Sequence, residues 1–326
     1  MKIVVTDHAF PDLAVEEAIA AAAGASLVAA QTKDPVRLAA AVADADAVIV
    51  QFAPVNSDVV AAMRRARAIV RYGIGVDNVD LAAARSCGIP VCNVPDYCID
   101  EVADHTLAFI LALTRQVAPQ SRLVHDGEWR LAAPPPAFRT LADMTCGVVG
   151  FGRIGRGVVR RLVAFGGRVL VSDPVATADA IAAAGAQAVP LPRLLAESDL
   201  ITLHCPSLPE TKGMINAATL ATTRPGVLVV NLSRGDLLDP SALVAALDSG
   251  HVGGAALDVF QPEPIPAGHA ILGRQNVILA PHVASVSARA VHRLRTTAAE
   301  LAVAAVAGGP LPSIVNGLAG PRARPD

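Results

Sequence analysis

The 326 residues suffice for two domains of ordinary size. Their formal charge of −2 lacks the basic surplus of a general nucleic-acid binder. Hydrophobic residues make up 53% but aromatics only 3%, so the core must be built mainly from Ala, Val, Leu and Ile, which suits helices packed on a parallel sheet.

Short apolar runs alternate with alanine-rich helical stretches, the βαβ pattern of an open parallel sheet. The first series of strands is predicted at Ile3–Thr6, Ser26–Ala30, Ala47–Val50, Ala68–Arg71 and Pro90–Cys92. Asp100 to about Asp126 then reads as one long helix, capped by Asp100 or a neighbour. A second series follows at Cys146–Gly150, Arg168–Ser172, Ala188–Val189, Leu200–Leu203, Val227–Asn231, Gly254–Asp258 and Val277–Leu279. A helix is expected from about Ser287 to Ala307, then strand-like Ser313–Asn316 and a disordered tail from Gly320 to Asp326. This order suits one domain built from both chain ends, 1–99 plus 287–326, with a second, 100–286, inserted.

The five cysteines (Cys87, Cys92, Cys98, Cys146, Cys205) form no CxxC pair and are odd in number. That argues against a disulfide framework or a metal site and fits a reducing cytoplasm. The start, Met1-Lys2-Ile3-Val4-Val5-Thr6-Asp7, meets a charge too early for a signal peptide, and the longest apolar stretch, near Leu107 to Leu113, falls short of the ~20 residues a bilayer needs.

Gly150-Phe151-Gly152-Arg153-Ile154-Gly155 fits GxGxxG, and its context strengthens it. An apolar strand precedes it, a helix-like stretch follows, and a second strand ends at Asp173. Gly150 would allow the tight turn, Gly152 the approach of backbone N–H groups to a pyrophosphate, and Gly155 close helix–sheet packing. Asp173 would accept hydrogen bonds from the adenosine ribose and repel a 2′-phosphate, which predicts NAD over NADP.

Three strands of the second series lead into groups suited to acid–base or anion chemistry: Asn231-Leu232-Ser233-Arg234-Gly235, Asp258 to Glu263-Pro264, and Pro281-His282 to Ser285. Ligands of open α/β sheets bind beyond the carboxyl ends of strands, so all three are expected on the dinucleotide side. Arg offers a fork for a substrate carboxylate, His a proton donor near neutral pH, and a carboxylate beside the His orients the ring and favours its protonated form.

In this order and spacing the residues resemble the D-isomer-specific 2-hydroxyacid dehydrogenase family over nearly the whole chain. The resemblance is carried by Arg71-Tyr72-Gly73-Ile74-Gly75-Val76-Asp77-Asn78-Val79-Asp80, by Glu101 to Thr106, by His204-Cys205-Pro206 with Thr211 to Asn216, and by the three strand-end segments. It implies a flavodoxin-like substrate domain with a Rossmann-type NAD-binding domain inserted, and a cleft between them. It implies that Arg234 binds the substrate carboxylate and carbonyl, that His282 is the acid and base paired with Glu263, and that Asp258 meets the nicotinamide carboxamide. NAD would lie against Ile74, Gly150, Gly152, Arg153, Ile154, Gly155, Asp173, His204, Cys205, Pro206, Leu232, Ser233, Arg234, Asp258, His282 and Ser285. Substrate would meet Phe52, Tyr72, Gly73, Ile74, Gly75, Arg234 and His282, with the carboxylate on N–H groups around Ile74 and Gly75; Asp77 and Asp80 are not expected to be catalytic. The resemblance further implies a homodimer through the cofactor domain, using the long helix and the arm Trp129 to Thr140.

Phosphoglycerate dehydrogenases resemble this chain but carry a basic residue in the loop after the third strand. Here that loop reads Gln51-Phe52-Ala53-Pro54, which argues against phosphoglycerate and for a partly apolar side pocket. Glyoxylate, hydroxypyruvate and pyruvate stay open. Formate and phosphite dehydrogenases share the scaffold, and the region Pro95 to Asp104 resembles the C-terminal-binding-protein corepressors, dinucleotide-gated dimers. An L-specific dehydrogenase is disfavoured because a whole domain precedes the glycine turn.

Overall fold

The computed structural model describes residues 1–323. The chain divides into two compact units, Met1–Tyr97 with the segment from Ser287 onward, and Cys98–Val286. The first division thus falls between 97 and 98, two residues before the expected 99/100.

The first unit runs β1 (Lys2–Val5), α1 (Ala14–Ala22), β2 (Ser26–Ala29), α2 (Pro35–Val42), β3 (Ala47–Val50), α3 (Ser57–Ala62), β4 (Ile69–Arg71), α4 (Leu81–Ser86) and β5 (Val91–Cys92). Its five strands are all parallel in the order β2-β1-β3-β4-β5, the flavodoxin-like arrangement. The order reverses between β1 and β3, and loops at their carboxyl ends are where such a sheet binds ligands. Local caps set the helix starts: the side chains of Asp34, Asn56 and Asp80 each accept a backbone N–H of the following turn. Asp80, in the glycine-rich loop, is therefore a helix cap.

The second unit begins with α5 (Ile99–Thr114) and α6 (Val117–His125). The single long helix expected here is broken. Gln116 takes a left-handed conformation (φ 54°), and Pro119 lies in the first turn of α6. Within one continuous helix Pro119 would remove a hydrogen bond and clash with the carbonyl four residues back, so the break falls one turn earlier. Asp100 is not the cap either. Its neighbour Cys98 holds that position without a side-chain cap, and Asp100 pairs with Arg160 and Arg161.

Then follow β6 (Thr145–Val149), α7 (Arg153–Ala164), β7 (Arg168–Ser172), α8 (Ala178–Ala183), β8 (Gln187–Ala188), α9 (Leu191–Glu197), β9 (Leu200–Leu203), α10 (Ala217–Ala221), β10 (Val227–Asn231), α11 (Pro240–Asp248), β11 (Val252–Leu257) and β12 (Val277–Leu279). The seven strands are parallel in the order β12-β11-β10-β9-β6-β7-β8. This is the doubly wound Rossmann order with one more strand at the β12 edge. One face is filled by Leu170, Leu194, Ile201, Leu203, Val229 and Leu243, an aliphatic core that matches the scarcity of aromatics.

The last helix, α12 (Ala288–Ala307), belongs to the first unit and packs on α1, β3 and β4. Ser287 caps its start and Gly308 (φ 84°) its end. No strand forms at Ser313–Asn316. One antiparallel bridge joins Ile314 to Cys92, and then the side chain of Asn316 replaces the backbone ladder, accepting from Val91 N–H and donating to Ile89 O. Of the tail expected to be disordered, Arg322 is tied to Arg67 through backbone and side chain, and 324–326 lie outside the described residues.

The packing of α1 against α12 encloses a polar knot. Glu16 is fully buried, and Arg295 donates to both its carboxylate oxygens (2.9 and 2.7 Å) while Tyr72 Oη donates at 3.0 Å. Removing Glu16 would leave Arg295, largely buried, with only Asp12 as a partner in this knot (2.8 and 3.0 Å) and the Tyr72 hydroxyl without its acceptor. Glu16→Ala should therefore lower stability by about 3–5 kcal/mol in urea unfolding.

Candidate active site

The glycine turn follows β6. A Cβ on Gly150 (φ 97°) would stand 2.7 Å from the His204 carbonyl, and one on Gly155 would strike the Gly150 carbonyl, so both positions need glycine. Gly152 is different: a Cβ there would meet nothing within 4 Å, so glycine keeps the approach to the turn open. Gly152 is also the N-cap of α7 without a side-chain cap, which leaves the first-turn N–H groups at Arg153, Ile154 and Gly155 to accept an anion. These features fit a dinucleotide pyrophosphate.

Asp173 ends β7 beside this turn. One carboxylate oxygen accepts from Phe151 N–H at 2.6 Å, and the other from Val175 and Ala176 N–H at 2.8 Å each. Burial pushes its pKa up, but the three amides and the charge of Arg156 outweigh it and hold the carboxyl below its ordinary value. Asp173 therefore braces the glycine turn, a task that sequence alone did not indicate, in addition to any role at a ribose. His204 lies under the turn with Nε2 on Thr202 Oγ1 (2.9 Å); burial pushes its pKa down to about 3, so its ring is neutral. Cys205 is half-buried against Met214, and Pro206 O accepts from Thr211 Oγ1. Leu232 is 7% exposed and packs inward, so only its backbone can serve a ligand.

The loop after β10 is folded on itself. Buried Asn231 donates to Arg234 O (2.8 Å) and accepts from Ser233 N–H (3.0 Å), while Ser233 Oγ donates to Cys205 O. Gly235 lies so close to the Phe260 backbone that any Cβ would collide, which seats Arg234 beside the loop after β11. That loop carries Glu263, whose Oε1 accepts from Phe260 N–H (2.8 Å) and whose Oε2 meets His282 Nδ1 (2.8 Å). Burial raises the Glu263 pKa, but the His282 and Phe260 bonds and the charges of His282 and Arg234 lower it more, so the net shift is downward. Arg234, Glu263 and His282 thus come together in one unit.

Asp258 is fully buried. Its two carboxylate oxygens accept from Val283 and Ala284 N–H, 2.8 Å each, and its carbonyl from His282 N–H at 2.8 Å. Its carboxylate, expected on the nicotinamide carboxamide, holds the loop that carries His282, which is itself left-handed (φ 55°). Ser285 follows, half-buried, on the same loop.

In the first unit Tyr72 needs correction. Its side chain is 1% exposed with its phenol on Glu16, so the ring faces the core and only its backbone can border the turn. Gly73 (φ 141°), Ile74 and Gly75 form the turn that follows, with Gly73 O accepting from Val94 N–H and Ile74 O from Asn93 Nδ2. Phe52 is 47% exposed, and Lys33 Nζ stands 5.1 Å from its ring centroid. Lys33 comes from the loop after β2 and is remote in sequence from the β3 loop whose ring it meets.

Asp173→Ala should weaken NADH binding by roughly tenfold or more, the size of one lost charge-assisted hydrogen bond, and narrow the preference over NADPH. If the preference stays fixed, Asp173 braces the turn without reading the ribose.

Residues 107–284 match the model of the D-isomer specific 2-hydroxyacid dehydrogenase NAD binding domain, more than half of the chain. The D-3-phosphoglycerate dehydrogenase of Mycobacterium tuberculosis is 38% identical over 281 residues, 86% of this chain and 53% of that protein. The chain therefore spans about half the length of such relatives. The glyoxylate reductase of Korarchaeum cryptofilum is 38% identical over 265 residues, 81% of this chain and 80% of its own. The crystal structure of D-lactate dehydrogenase from Aquifex aeolicus, complexed with NAD and lactic acid, superposes with a TM-score of 0.84 at 28% identity, covering 94% of this chain and 95% of that one. By these likenesses the chain belongs to the D-isomer-specific 2-hydroxyacid dehydrogenase family, and NAD is the cofactor of its Rossmann unit.

Proposed function

We propose that this chain is an NAD-dependent dehydrogenase that interconverts a small 2-oxo acid and its D-2-hydroxy acid. The observation that carries the reading is the His282 Nδ1 to Glu263 Oε2 contact at 2.8 Å, with Arg234 on the neighbouring strand-end loop. NAD, when bound, supplies the hydride exchange at C2. The Arg234 guanidinium holds the substrate carboxylate and carbonyl oxygen through its fork. Glu263 occupies Nδ1, which leaves Nε2 of His282 to give a proton to the carbonyl oxygen in reduction and to take it back in oxidation. The ionised Glu263, held by Phe260 N–H, fixes the ring and favours imidazolium. In the first unit the Gly73–Gly75 turn offers backbone N–H groups to a carboxylate.

The proposed substrates are acids of the size of glyoxylate, hydroxypyruvate or pyruvate, since Phe52 offers an apolar wall. A second reading, an acid with an anionic far end, is favoured by Lys33 beside that wall. We further propose a homodimer through the second unit. Helix α6 has no buried residue, and Trp129 (92% exposed), Leu131, Val117 and Val124 present apolar surface that a second copy would cover. The five free cysteines support a reducing compartment.

The test is NADH oxidation with a panel of glyoxylate, hydroxypyruvate, pyruvate, 2-oxobutyrate, phenylpyruvate, oxaloacetate and 2-oxoglutarate. Turnover of the small acids, lost in His282→Ala by at least about 10²-fold, is expected. Preference for the dicarboxylates would favour the second reading. NADH binding without turnover of any acid would contradict the enzymatic reading and favour a dinucleotide-gated binding protein.

A further inference from the structure

The loop that carries Phe52 is held from both sides. On one side the buried Asp7 carboxylate, at the end of β1, accepts backbone N–H bonds from Gln51 (3.3 Å), Phe52 (2.9 Å) and Ala53 (3.0 Å), together with the Thr6 hydroxyl (2.8 Å). On the other side Asn78 Nδ2 donates to the carbonyls of Gln51 (3.3 Å) and Ala53 (2.9 Å). The two residues flanking Phe52 are thus fixed at both N–H and C=O. The Gln51 side chain is committed as well, accepting from Ala9 N–H at 2.7 Å.

Asn78 belongs to the same loop as the Gly73–Gly75 turn. The backbones of the two loops also zip together, with Val55 N–H on Asn78 O (2.8 Å) and Asp80 N–H on Val55 O (2.9 Å). The turn in its own right is pinned at Gly73 O and Ile74 O by Val94 and Asn93. One hydrogen-bonded frame therefore joins the Phe52 loop to the turn.

A ring that is 47% exposed has few packed neighbours to orient it. Apart from Lys33 over one face, its placement is set by the backbone that carries it. Burying a carboxylate costs free energy that an apolar contact closing the same loop would not. The cost is offset here by three amides that point one way, and they set where Phe52 stands.

We infer that Asn78 and Asp7 are positioning residues for substrate choice: they fix the Phe52 ring relative to the Gly73–Gly75 turn, and so set the size of the C2 substituent accepted. The inference rests on the reading that Phe52 lines the substituent pocket and the turn grips the carboxylate.

The experiment compares kcat/KM for 2-oxobutyrate and for glyoxylate in the full-length protein and in Phe52→Ala, Asn78→Ala, Asp7→Asn and the double variant Phe52→Ala with Asn78→Ala. Phe52→Ala should move the ratio toward 2-oxobutyrate by roughly tenfold, the scale of one methylene's worth of pocket fit. Asn78→Ala and Asp7→Asn should move it in the same direction. The double variant should match Phe52→Ala, because the frame acts through the ring. If Asn78→Ala and Asp7→Asn lower kcat/KM for both acids alike, the frame is merely structural and the inference falls while the Phe52 reading stands. If Phe52→Ala leaves the ratio unmoved, that reading falls, and the inference with it. Should either positioning variant not fold, the other gives the same comparison.

Discussion

A carboxylate with no access to water must find N–H partners or lose several kcal/mol. Asp258 finds them in Val283 and Ala284. That demand bends the chain directly after β12 and brings His282 N–H onto Asp258 O. A left-handed histidine costs on the order of 1–3 kcal/mol, and two hydrogen bonds to a charged acceptor, each about 1.5–3 kcal/mol, can carry it. With the backbone held there, the imidazole meets Glu263, and Glu263 is in turn fixed by Phe260 N–H. The His282–Glu263 pair, the proposed acid and base, is thus the outer end of a chain of bonds that starts in the buried core of the sheet.

The same logic of close approach recurs around the site. Gly150 and Gly155 let β6, α7 and the His204 segment come within reach of one another, and Gly235 lets the β10 loop touch the β11 loop. Because all strands of this sheet run parallel, their carboxyl ends share one edge. Fingerprint, Arg234, Asp258, Glu263 and His282 follow those ends and so gather there. In the first unit parallel strands likewise place Asp7, Lys33, Phe52 and the Gly73–Gly75 turn at one edge of their sheet.

Much of this was legible in the order of residues. Apolar runs of Val, Ile and Leu marked the strands to within a few residues, since buried parallel strands need little else. The fingerprint and the three strand-end groups were legible because each is local in sequence. The failures were of another kind. Pro119 signals a broken helix, but its weight against a long apolar pattern shows only in the left-handed Gln116. Asn316 ends a ladder by supplying its own side chain, which a strand propensity does not register. The aim of Tyr72 depended on Glu16 and Arg295, 56 positions before it and far beyond it in α12. Lys33, Asp7 and Asn78 meet the Phe52 loop only through the crossing order of the sheet. No spacing rule reveals whether an aspartate such as Asp258 faces a ligand or its own backbone.

The most direct test of this account is Asp258→Ala, with NADH affinity measured by fluorescence titration and 2-oxo acid reduction followed at saturating NADH. NADH affinity should be retained while the rate falls by roughly 10²-fold, since a slightly displaced His282 cannot reach the carbonyl oxygen. Weakened NADH binding with the saturated rate preserved would contradict this, and would return Asp258 to the cofactor.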